Sequence, residues 1–109
     1  MNSDPQMIRT FLMLFRASFT LDEKKFRVCV HLHEYHKKDE ILQFWSEVTH
    51  IPLAQFTKPY LKPHTKNVIR NDYKGCMRVS YYDNRILEKI KSMYTYFSDW
   101  LLSQETIQY

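Results

Sequence analysis

The chain has 109 residues, 44% of them hydrophobic, and a formal net charge of +4. That length suits one domain with one modest core, and the composition is globular rather than disordered. The single glycine, Gly75, excludes the glycine-rich loops that cradle phosphates or dinucleotides.

The first element is a helix opened by Asp4 and Pro5. Asp4 is a capping residue, and proline suits the first helical position because its missing N–H would be unpaired there anyway. Ile8, Phe11, Leu12, Phe15 and Phe19 follow on one face, and Met7, Met13 and Leu14 widen it. This apolar run is too short to span a bilayer and is broken by Arg9, Thr10, Arg16 and Ser18. No signal-peptide pattern is present, so a cytoplasmic protein is expected. Residues 21–25 form a polar connection.

Residues 26–33 alternate as a strand. Phe26, Val28, Val30 and Leu32 point one way; Arg27, Cys29, His31 and His33 point the other. A turn at 34–38 leads to a second helix, capped by Asp39, which carries Ile41, Leu42, Phe44, Trp45 and Val48 and ends near His50. Residues 56–61 are extended, and Pro59 suits an edge strand or a strand end. Residues 63–73 read as a polar, hairpin-like loop. Residues 76–82 alternate again, with Met77, Val79 and Tyr81 on one side and Cys76, Arg78, Ser80 and Tyr82 on the other. Asp83 caps a last helix whose inward face is Ile86, Leu87, Ile90, Met93, Tyr94, Phe97 and Leu101. The single domain covers 1–102, and 103–109 is a frayed tail.

The order α-β-α-β-β-α predicts an α+β fold, a small antiparallel sheet with helices packed on one face. The other sheet face is left open, which antiparallel sheets tolerate. Basicity concentrates in residues 58–78, where six cations stand against one acid, Asp72, so the remainder of the chain sums to −1. A strand–loop–strand unit of this charge points to a polyanion, with affinity coming from counterions released at each phosphate contact. The candidate contacts are Arg27, His31, Lys58, Lys62 and Arg78 from the strands and Lys66, Arg70 and Lys74 from the loop.

His31 and His33 share a strand face and His36 follows in the turn, but no acid or cysteine of fixed spacing completes a ligand set. No metal or other cofactor is assigned. The two cysteines, Cys29 and Cys76, make no Cys-x-x-Cys pair, so a zinc ribbon is excluded and free thiols are expected. Ser80 and Cys76 have no located base, and Asp4, Asp39 and Asp83 are explained as caps, so no catalytic residue is assigned either.

Four phrases carry a family resemblance over residues 2–97: Asn2-Ser-Asp-Pro-Gln-Met-Ile8, Phe44-Trp-Ser-Glu-Val-Thr49, Ile51-Pro-Leu-Ala-Gln-Phe-Thr-Lys-Pro-Tyr60 and Gly75-Cys-Met-Arg-Val-Ser-Tyr-Tyr-Asp83. Together they resemble a group of small prokaryotic proteins with a LAGLIDADG homing-endonuclease-like domain. The resemblance implies an α+β domain whose curved antiparallel sheet sits on the DNA major groove. The glycine-rich, acid-ended motif helix that supplies the metal-binding acid in that group has no counterpart here, so strand cleavage is not carried over. His50 also replaces the glycine that ends a helix in the group.

The expectation is therefore a non-catalytic module that binds duplex DNA and has no membrane segment. The alternative is an interaction or structural module, a remnant of a mobile element, that forms a homodimer or meets a partner chain through its apolar N-terminal helix. The remaining alternative is a nuclease half-domain completed by a partner chain.

Overall fold

The structure is a computed structural model, and it describes residues 2–34, 37–62 and 74–107. The first helix, α1, is Pro5–Ser18. The Asp4 carboxylate accepts from the backbone N–H groups of Gln6 and Met7 at 3.0 and 3.3 Å, and Pro5 takes the first helical position, as the sequence predicts. Leu12 is buried, and Ile8 and Phe15 pack beside it. The outer side chains, Met7, Phe11, Met13 and Leu14, remain exposed.

The first strand, β1, is Phe26–His33, and its alternation is complete. Phe26, Val28, Val30 and Leu32 are buried and the intervening residues are not. The second helix, α2, is Lys38–Thr49. It contributes Ile41 and Trp45 to the core, and the Trp45 indole N–H donates to the Lys74 carbonyl at 2.8 Å. Lys37, not Asp39, occupies its cap position, with no side-chain cap bond. Asp39 lies inside the first turn, where its charge favours the positive end of the helix dipole instead. The helix ends at His50, whose φ of 57° is left-handed. Buried Thr49 secures that end: its hydroxyl donates to the Trp45 carbonyl at 2.7 Å and accepts from the Ile51 N–H at 3.2 Å.

The sheet is mixed rather than antiparallel. The strand β2, Tyr60–Lys62, pairs parallel with β1, and β3, Cys76–Tyr81, pairs antiparallel with it. The reason is the crossover: α2 carries the chain back along β1, so the next strand must run in the same direction as β1. The strand order is β2-β1-β3, so β1 separates the two later strands and they do not form a hairpin. Pro59 precedes an edge strand, as expected. The hairpin-like loop expected at 63–73 lies outside the described residues. The free edge of β3 is met by Asn2, whose N–H and carbonyl bond Met77 at 3.0 and 2.8 Å.

Gly75 shows why this chain needs its one glycine. Its φ is +75°, and a Cβ placed there would lie 2.5 Å from the His31 carbonyl oxygen. The close backbone approach seats β3 against β1 just where their pairing begins, at His31 and Cys76.

The third helix, α3, is Asn84–Ile107. Asp83 caps it by accepting from the Arg85 N–H at 2.9 Å. It runs past residue 102, through most of the segment expected to fray. It does not pack on the sheet as the sequence pattern suggests. Ile86 is buried, but Leu87, Ile90, Met93, Tyr94, Phe97 and Leu101 are exposed. Twenty-four residues make a helix of about 36 Å, longer than β1 at about 26 Å, and α1 and α2 already cover the sheet. The molecule is accordingly elongated, 55 × 35 × 19 Å, with a radius of gyration of 18.0 Å where a compact chain of this size has about 13 Å.

Candidate nucleic-acid interface

The core rows of β1 and β3 face α1 and α2, so their alternate residues lie on the opposite face, which no described helix covers. Register brings the polar residues together. Arg27 stands opposite Ser80, Cys29 opposite Arg78, and His31 opposite Cys76 on one side and Tyr60 on the other. His33 stands opposite Lys62. The His31 and Tyr60 rings are 5.1 Å apart. Lys58 lies at the β2 edge, with its backbone carbonyl 4.0 Å from the Cys29 sulfur. No aspartate or glutamate occurs on these strands.

The cations are spread over the face rather than clustered. Arg78 aligns with Cys29 and Lys62 with His33, four residues further along β1. That separates them by about 13 Å along the strand and about 10 Å across it. The Arg27 guanidinium is anchored by hydrogen bonds to the carbonyls of Lys24 and Phe26, at 2.6 and 2.7 Å, and it stays exposed.

The proton affinity of His31 is perturbed. Burial disfavours its charged form, and Lys62 and Arg78 repel a further positive charge, so its pKa lies below the ordinary 6.5. Its Nδ1 is buried with no hydrogen-bond partner among the described residues. The ring is therefore neutral at pH 7, held between two cations that would favour an anion.

Six of the eight sequence-assigned contacts fall in the described residues, and five belong to this face or its edge: Arg27, His31, Lys58, Lys62 and Arg78. Lys74 does not join them. Its ammonium lies 6.0 Å from the centre of the Phe44 ring and its carbonyl holds Trp45, which puts it on the α2 side of the sheet. The register explains this: Lys74 precedes β3 at the point where Gly75 turns the chain under α2. Lys66 and Arg70 lie outside the described residues.

Other charges are committed to structure. Lys25 pairs with Asp83 at 2.9 Å, and Arg16 pairs with Glu23 at 2.8 Å while donating to the Thr49 carbonyl. Cys29 and Cys76 are free thiols on the uncovered face, half-buried. Among the described residues no group of three or more His, Cys, Asp or Glu could hold a metal ion, and no helix is long and apolar enough to cross a membrane.

Sequence reasoning pointed to the apolar face of α1 as an interaction surface but missed that α3 shares it. A groove of about 1010 Å³ runs between α1 and α3, walled by Phe11, Phe15 and Phe19 on one side and Ile90, Met93 and Phe97 on the other. The apolar periodicity of α3 was the available signal, but periodicity alone does not say whether the covering partner belongs to the same chain.

No known protein family matches the chain, and no curated protein or solved structure matches it.

Proposed function

We propose that this chain is a non-catalytic DNA-binding module, LAGLIDADG-like in kind, which contacts the duplex backbone through the uncovered face of its sheet. One observation carries the reading: Arg27, Lys62 and Arg78 stand on three neighbouring strands of one sheet face whose described residues include no carboxylate. Lys58 extends it at the β2 edge. The spacing of Lys62 and Arg78 is on the scale of a major groove about 12 Å wide, so two long side chains can reach phosphates on its two rims. His31 and Tyr60 lie between them and are placed to approach sugars or bases. Contacts of the first kind position the protein; only the second kind selects sequence.

The mixed sheet departs from the antiparallel sheet that the family resemblance implies. The proposed contact therefore rests on the charge and exposure of this face, not on the resemblance. Cleavage is assigned to no residue of the face, since its described residues include no acid to hold a metal or activate water.

The test is binding of a labelled duplex at low salt, followed by anisotropy, for the wild type and for Lys62→Ala/Arg78→Ala. The wild type should bind and the double variant should bind weakly. An absence of binding by a folded wild type at low salt ends the proposal.

A further inference from the structure

Independently of the sheet face, we infer that the chain forms a two-fold symmetric dimer in which α3 pairs antiparallel with α3 of a second copy, over the groove beside α1. The first ground is area. Phe11, Tyr94, Tyr96, Phe97 and Trp100 are 58, 72, 77, 57 and 49% exposed. Such rings offer roughly 150–250 Å² each, so on the order of 600 Å² of aromatic surface is uncovered. Leu14, Ile90 and Met93, also exposed, take the face past about 800 Å², the share one partner gives to a stable interface. Surface of this extent on a monomer marks an interaction site.

The second ground is the pattern along α3. Ile86, Ile90, Met93, Phe97 and Trp100 recur at alternating steps of four and three. That is the seam of a helix meant to run beside another helix at a shallow angle. Glu88, Lys91 and Asp99 stay off the seam.

The third ground is shape, which selects the occupant and its direction. An antiparallel pair centred on Thr95 sets Met93 opposite Phe97 and Ile90 opposite Trp100, a large side chain against a smaller one each time. A parallel pair would set each seam residue beside its own copy, Phe97 against Phe97 and Met93 against Met93, and align the two helix dipoles unfavourably. A face that complements itself under a two-fold rotation is the requirement for a closed dimer.

The groove lies against α1, and α1 covers the sheet from the side opposite Lys62 and Arg78, so the dimer leaves the basic face open.

Sedimentation equilibrium of the full chain tests this. The expected mass is twice the 13.4 kDa of one chain. Phe97→Glu should weaken association at least about 30-fold, the effect of losing one central anchor. Because Phe97 is exposed in the single chain, the variant should keep its helical circular dichroism, which separates lost association from lost folding. Met13→Glu, on α1 but off the groove, should associate like the wild type. Direction is read by oxidation in a background with Cys29→Ser and Cys76→Ser. Met93→Cys mixed with Phe97→Cys should give crosslinked dimers, and neither variant alone should. A monomer at every concentration, a dimer indifferent to Phe97→Glu, or efficient crosslinking of Met93→Cys alone would each overturn the inference.

Discussion

The salt dependence of the proposed DNA binding turns the geometry of the sheet face into a number. Four described cations, Arg27, Lys58, Lys62 and Arg78, stand on or beside the uncovered face. Each phosphate contact contributes about 0.9 to the slope of log K against log salt, so four contacts predict a slope of about −3.6 and a loss of about 150-fold in affinity between 50 and 200 mM salt. Lys62→Ala/Arg78→Ala removes two contacts, leaving a slope of about −1.8 and a loss of about 12-fold over the same interval. Lys74→Ala is the internal control. Its ammonium faces Phe44 on the helix side, so its slope should equal that of the wild type. Contacts from Lys66 and Arg70 would steepen the wild-type slope to about −5.4 without changing the difference made by the double variant. Anisotropy titrations at four or five salt concentrations measure all three slopes. A double variant with the wild-type slope, or Lys74→Ala with the larger loss, would falsify the assignment of binding to this face.

Other measurements probe the local physics. The His31 imidazole, followed by NMR, should titrate below 6.5 in the wild type and move upward in Lys62→Ala and in Arg78→Ala, since each removes a repelling cation. The folded form then binds fewer protons than the unfolded one, so the His31 contribution to stability is complete above about pH 6.5 and declines as pH falls below it. A bound phosphate reverses the sign for binding: duplex affinity should rise from pH 7.5 to 5.5, and His31→Ala should flatten that rise. The Asp83 carboxyl is held well below the usual range by its hydrogen bonds from Lys25 and Arg85. Its contribution is present above about pH 4 and lost as pH falls further, so the stability gap between wild type and Asp83→Asn should narrow in denaturant titrations below pH 4. His50→Gly should stabilise the chain by about 0.5–1 kcal/mol, because relief of a left-handed φ worth about 1–2 kcal/mol outweighs the added freedom of glycine in the unfolded chain, worth about 0.4–1 kcal/mol. Thermal unfolding should show this as a rise of about 2–4 °C; an unchanged or lower midpoint would mean that His50 is not strained.

Much of this fold was readable from local rules, and the exceptions share a cause. Asp4 with Pro5, the alternation of 26–33 and the stop before Pro52 each depend on a few adjacent residues, and each appears where expected. The parallel pairing of β2 was not readable in that way. It follows from where α2 returns the chain, and three residues of strand carry little register information of their own. The site divides along the same line. Alternation placed Arg27, His31 and Arg78 on one face, because period two is a property of the strand alone. Lys74 lies apart from them, because charge density along the sequence says nothing of the turn at Gly75, where the backbone closes on His31.

The same limit accounts for α3. Its apolar residues have helical spacing, and within one chain that spacing usually denotes a core. Here the strands offer β1 only one covered face, and α1 and α2 occupy it with Leu12, Ile41 and Trp45. The described strands offer no further apolar sheet face to a helix of 24 residues. Apolar surface left out of the core still costs free energy in water, about 25 cal/mol for each Å², so the pattern on α3 calls for a cover that the described elements do not supply. The proposed pairing supplies that cover, and it explains the sequence at a level that the monomer does not. The charged residues of α3 avoid the seam, as a surface helix with a partner requires, whereas a helix exposed on all sides would have no reason to segregate them. The two surfaces therefore differ in kind: the sheet face owes its exposure to having a core on only one side, and the groove, in the proposed pairing, is the seat of the second helix.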